Sequence, residues 1–193
     1  LEKDVTATGL KKGDYQFISY KPGSTDFKEQ AKKIVQFQPD TIIQFGSSRP
    51  FSELIRQLGN DQLVGKRLAG TELGDELFKS FLKEQGLEKQ FIDTQNLPNP
   101  RTSTLEIAQD YRKAMGNKPL DIFSFEGYVS GMIFAEILKR AQKPLTKESI
   151  IKAAEETKDV MFKGLKLNFD SSTRTLSDYI WLDTGEKEWI ALD

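Results

Sequence analysis

Apolar residues along this chain recur first in short runs and then at helical spacing, and the two patterns take turns. Residues 15–20 (YQFISY) predict a strand, and the KPGSTD that follows supplies turn chemistry. Phe27, Ala31, Ile34 and Val35 then share one helical face. Pro39-Asp40 breaks that helix, and the apolar run 41–45 predicts a second strand. Past a Gly-Ser-Ser turn, Phe51, Leu54, Ile55 and Leu58 return to helical spacing. Residues 67–70 predict a third strand, with Leu77, Phe78, Phe81 and Leu82 marking the next helix and Gly86 closing it. KQFIDTQNL predicts a fourth strand. Strands alternating with helices of this length imply right-handed βαβ units on a parallel sheet, an α/β fold.

The alternation stops at LPNPRTST, residues 97–104, where two prolines mark a boundary or crossover. Three helices follow without a strand between them, at about 105–115, 122–141 and 147–158. The middle one is apolar around most of its circumference, through Phe123, Phe125, Tyr128, Val129, Met132, Ile133, Phe134, Ile137 and Leu138. That composition predicts burial on nearly every side. Either these helices cap the first sheet or their own sheet lies in sequence outside this chain, and the second alternative is preferred. LKLNF then predicts a strand, and DYIWL and EWIAL a hairpin around Thr184-Gly185, with Trp181 and Trp189 as core or sheet-face residues.

Composition narrows the function. Lys and Arg number 28 against 29 Asp and Glu, so no strongly basic balance points to nucleic acid. The chain contains no Cys and no His. Disulfides, thiolate nucleophiles, a Ser-His-Asp arrangement and Cys- or His-ligated zinc are therefore excluded. Losing the commonest proton shuttle argues against an enzyme, and no cofactor or metal is expected. GTELGDE, residues 70–76, gathers three acids, but the spacing is not that of a calcium loop. Asp75 and Glu76 suit the first turn of a helix, where acids meet the positive end of the dipole. Glu126 is expected to assist the start of the long helix.

Four stretches carry a resemblance. QPDTIIQFGSSRPFSELIRQL, RLAGTELGDE, FSFEGYVSGMIFAEILKRAQKPLTKESIIKAA and FKGLKLNFDSSTRTLSDYIWL together are similar to the C-terminal part of type I periplasmic binding proteins. The branched-chain amino acid (Leu/Ile/Val) branch of ABC-transporter solute receptors is the most similar. The resemblance runs from about residue 13 to the end. It implies a Rossmann-like three-layer lobe, incomplete at its N-terminus: residues 1–97 as most of a second lobe, 98–165 as late helices of the first, and 166–193 as strands returning to the second. A fragment of this kind is expected to lack the first lobe's strands and the opening strand and helix of the second.

Function follows as an expectation: a non-catalytic extracytoplasmic receptor, periplasmic or extracellular, that binds an amino acid or related small polar molecule between lobes and serves an ABC permease. A membrane anchor is compatible with this. The candidate ligand residues are Ser47, Ser48, Arg49, Thr71, Glu72 and Phe123. Ligands of open α/β sheets sit at the carboxyl ends of strands, where residues 46–49 fall. The residues themselves leave two readings of that turn: a ligand site, or only a turn made by Gly46 with Ser48 capping the helix. The resemblance turns it toward the cleft and assigns Glu72 to the ligand's α-ammonium. Arg49 departs from the aromatic character of that loop, which counts against an aliphatic amino acid. Phe123 resembles a cleft aromatic, whereas Phe125 is expected in the core.

Other readings stay open. The same fold could be a sensory domain in a signalling or regulatory protein, or an α/β enzyme of flavodoxin-like architecture, although no phosphate loop or glycine fingerprint supports the latter. The isolated chain could also bind nothing, or associate with itself through the uncovered helix 122–141.

Overall fold

The structure, a computed structural model, describes residues 2–71, 73, 76–186 and 188–192. They fall into two compact units: the described residues up to Leu73 with Leu77–Ile92, and Glu76 with those from Asp93 onward.

In the first unit a short helix α1 (Glu2–Ala7) precedes α2 (Lys28–Phe37), β1 (Thr41–Gln44), α3 (Ser48–Leu58), β2 (Arg67–Thr71) and, from Leu77 on, α4 (Glu76–Glu84). β1 and β2 are parallel, with Ile42 opposite Leu68 and Gln44 opposite Gly70. Alternation along β1 buries Ile42 and Gln44 and leaves Thr41 and Ile43 outside, Ile43 at 58% exposure. The buried face meets the apolar stripes of α2, α3 and α4. Phe51, Phe78 and Phe91 form its aromatic centre, with ring centroids 5.7 Å apart for Phe51–Phe78 and 5.2 Å for Phe78–Phe91. Each such ring removes a large apolar area from water, so this triad contributes heavily to the unit's stability. Leu77 differs from its neighbours and points into solvent.

Residues 15–20 depart from the strand their sequence predicts. Among the described residues they join no ladder, and only an isolated bridge links Lys12 with Tyr15. Aromatic and β-branched residues favour strands by packing against neighbours in a sheet. Here Ile18 and Tyr20 pack on the first unit's core instead.

β3 (Phe91–Gln95) begins in the first unit and ends in the second. The second unit continues through α5 (Glu106–Met115), α6 (Ile122–Arg140), α7 (Lys147–Glu155), β4 (Val160–Phe162), β5 (Leu165–Leu167), β6 (Ile180–Asp183) and β7 (Ile190–Leu192). β6 pairs antiparallel with β3 and with β7, so the predicted terminal hairpin is present. β4 and β5 form a hairpin whose first strand the sequence did not announce. Ile107, Tyr111, Phe125, Val129, Leu165, Leu167 and Trp181 make the core. The α/β class is borne out.

Burial around α6 is less complete than its composition predicts. Ile122, Phe125, Val129 and Ile137 are buried, while Phe123 and Phe134 are 55% and 51% exposed. Glu126 does not start this helix. Asp121 caps it, its Oδ1 accepting the N–H of Ser124 at 2.9 Å. Burial pushes the Asp121 carboxyl up, but hydrogen bonds from Ser124 and the Phe123 N–H, with the Arg101 charge, hold it below its ordinary range.

Candidate functional site

Parallel register brings two loops of the first unit together. Because Gln44 lies opposite Gly70, β1 and β2 end level, and residues 46–49 and Thr71 leave adjacent strand ends. Four of the six candidates, Ser47, Ser48, Arg49 and Thr71, thus lie at or just past the carboxyl ends of two adjacent parallel strands. Glu72, with Asp75, lies outside the described residues. Phe123 belongs to the second unit, in the first turn of α6.

The turn after β1 is built by three side-chain facts. Gln44 is buried and its Nε2 donates to the Tyr20 hydroxyl at 2.6 Å. That hydroxyl donates to the Phe45 carbonyl at 3.3 Å. Gly46 takes φ +138, and a β-carbon there would stand 2.4 Å from the Tyr20 Oη. Only glycine fits.

Helix α3 starts one residue earlier than a Ser48 cap would place it. Ser47 is the N-cap, in extended conformation, and its side chain makes no capping hydrogen bond. Ser48 is already helical, and its carbonyl accepts the Ser52 hydroxyl at 3.1 Å. The first turn of α3 contains no acid, and Pro50, which has no N–H, causes no loss there. Exposed Ser47 and Arg49, with half-buried Ser48, therefore surround a helix N-terminus whose partial positive charge suits a polar or anionic group.

After β2 the chain is held by Leu73, which is fully buried and fills the space beside Gly70. The loop bearing Thr71 is thus pinned by an apolar side chain, and the loop bearing Ser47 by a polar brace. No group of three or more metal-ligating side chains exists among the described residues.

Sequence reasoning missed the brace. Its signal was Gln44, which shares a face with Ile42: a polar side chain on the buried face of a strand requires a partner. A second polar cluster also went unforeseen. Asp93, Gln95 and Asp183 are buried in the second unit, where Asp93 faces Asp183 across β3 and β6. Gln95 Nε2 donates to Asp93 Oδ2 at 2.5 Å, and Asp183 Oδ1 accepts the Gly185 N–H at 2.9 Å.

A sequence profile described as periplasmic binding protein matches residues 1–183. No curated protein matches the chain. Among solved structures, one from Rhodopirellula baltica SH 1, described as a possible leucine/isoleucine/valine-binding protein, gives a TM-score of 0.73 at 20% identity, covering 90% of this chain and 48% of that one. A fatty acid ABC transporter substrate-binding protein from Thermomonospora curvata gives 0.69 at 19% identity, covering 90% and 47%. A substrate-binding periplasmic protein from Ralstonia solanacearum gives 0.67 at 24% identity, covering 85% and 48%. At these identities the likeness is one of fold. The chain spans about half the length of each of these structures.

Proposed function

We propose, on the premise that this chain belongs to the periplasmic binding protein family, that it is part of the solute receptor of an ABC importer and is not an enzyme. The family is extracytoplasmic, and no described helix is long and apolar enough to cross a membrane. On this reading residues 1–97 are second-lobe sequence, 98–165 late first-lobe helices, and 166–193 strands returning to the second lobe. The solute is an amino acid or a related small carboxylate. Relatives described as binding branched-chain amino acids and fatty acids have a carboxylate in common.

One observation carries the reading: the in-register ends of β1 and β2 set Ser47, Ser48, Arg49 and Thr71 at the carboxyl ends of two adjacent strands, beside a helix N-terminus without a side-chain cap. Serine hydroxyls there hydrogen-bond the solute, and Arg49 and the α3 N–H groups favour its anionic end. Glu72, next in sequence after Thr71, pairs with a cationic group such as an α-ammonium. Closure of the complete receptor excludes water from these contacts, and the closed form is what a permease recognises.

Calorimetric titration with a panel of L-amino acids and small carboxylates tests this. Binding of a panel member, weakened by about 2–5 kcal/mol in Glu72→Ala, is the expected result. Affinity that survives Glu72→Ala removes the ammonium assignment. A receptor of full family length that binds no panel member removes the solute class.

A further inference from the structure

We propose that Tyr20 is a positioning residue for the solute-binding turn, its hydroxyl setting the backbone of residues 46–49 from a segment 24 or more residues away. The inference rests on the reading of that turn as ligand-facing.

Tyr20 lies in no helix or strand, yet its ring is anchored: it packs on Phe27, itself buried, with centroids 5.3 Å apart. The anchored ring delivers a hydroxyl to the end of β1. There it accepts from Gln44 Nε2 at 2.6 Å and donates to the Phe45 carbonyl at 3.3 Å. Its one proton points to that carbonyl, so the hydroxyl acts on the turn. The Gln44 Nε2 also lies 3.4 Å from the Phe45 carbonyl, which closes a three-membered network over the strand end.

Gly46 gives this network its leverage. The hydroxyl occupies the place where a β-carbon would stand, 2.4 Å away, so chain and hydroxyl fit only with glycine at φ +138. That dihedral aims the next residue, Ser47, into the start of α3. A helix start is ordinarily locked by its own N-cap side chain. Ser47 makes no such bond, so the lock comes from Tyr20 and the Ser47 hydroxyl remains available to a solute. Positioning from outside the loop leaves the loop's own polar atoms for binding, as a preformed site requires.

Tyr20→Phe keeps the ring on Phe27 and removes only the hydroxyl. In the full chain, backbone order parameters from nitrogen-15 relaxation are expected to fall at residues 46–49 from about 0.85 toward about 0.6, with the middle of α3 unchanged. The melting temperature of Gly46→Ala is expected to drop less, by about 3 °C, when Tyr20→Phe is also present, because the blocking atom has gone. Unchanged order at residues 46–49 overturns the proposal. So does loss of order spread through the whole unit, the mark of a merely structural role. Gly46→Ala losses that simply add to those of Tyr20→Phe overturn it as well. These readouts need no ligand, so a wild-type receptor that binds nothing overturns the functional reading and leaves them standing.

Discussion

Gly70 and Leu73 share a space that holds only one side chain. A β-carbon on Gly70 would lie 2.4 Å from Leu73 Cδ1 and 2.8 Å from its Cγ. Leu73 is fully buried in the first unit's core, so it cannot yield outward. Gly70→Ala is therefore expected to destabilise by about 1–3 kcal/mol through overpacking. Leu73→Ala is expected to cost about 2–5 kcal/mol through the cavity it leaves. The double variant should cost less than the sum, since each change relieves the other. Urea unfolding of the four proteins measures this coupling, and strict additivity would contradict the shared space.

Arg112 holds the segment where the alternation of strands and helices ends. Its Nη1 donates to the Pro100 carbonyl and its Nη2 to the Ser103 carbonyl, both at 2.9 Å. A planar fork meets two carbonyls in a way that an ammonium cannot copy. Arg112→Lys should therefore loosen residues 97–104 almost as much as Arg112→Ala, costing about 1–3 kcal/mol. Limited proteolysis should then cut first in that stretch. Protection at the wild-type level in Arg112→Lys would show that charge alone suffices.

The sequence was most legible where periodicity and burial agree. Thr41–Gln44, Arg67–Thr71 and the helices after them fall where alternation and helical spacing predict, because local pattern and core packing ask for the same thing. It was least legible where a partner decides the outcome. Residues 15–20 have strand chemistry but join no ladder among the described residues, and a strand is defined by its neighbour. The Ser47 cap and the Tyr20 brace depend on contacts between residues far apart in the chain, which spacing does not encode. Glu126 lies inside α6, and Asp121 is its cap because it is extended and its Oδ1 accepts the Ser124 N–H, a bond that spacing alone does not reveal.

Lys163 ties the β4–β5 hairpin to α5 and should give stability a defined pH window. Its Nζ lies 2.5 Å from Asp110 Oδ2 and 2.7 Å from Glu106 Oε1. The hydrogen bond from Lys163 holds the Asp110 carboxyl below its ordinary value of 3.8. Those to Asp110 and then Glu106 raise the Lys163 ammonium above its ordinary 10.5. The depressed acid contributes stability above 3.8, lost as pH falls through its lower native value. The raised base contributes below 10.5, lost as pH rises through its higher native value. Lys163→Asn removes the ammonium while keeping a residue that tolerates the positive φ of 49 found there. Its melting temperature should lie about 1–3 °C below wild type between about pH 5 and 9. The gap should close in acid below 3.8, and a gap that persists there would assign the effect to the turn.

Two phenylalanines on α6 should respond to substitution in opposite ways. Phe125 is fully buried against Tyr111, with ring centroids 4.9 Å apart, so Phe125→Ala should cost about 3–5 kcal/mol. Phe134 lies on another side of the helix, where Phe123, Gly127 and Gly131 recur every fourth residue and are also exposed. Phe134→Ser should change stability by no more than about 0.5 kcal/mol. An apolar strip in water favours association, so the wild-type chain should scatter light as a mass above 21.9 kDa as concentration rises. Phe134→Ser should return it toward the monomer. A wild-type chain that stays monomeric at high concentration would show that the strip is tolerated in water, and a Phe134→Ser chain as destabilised as Phe125→Ala would show that the strip is packed.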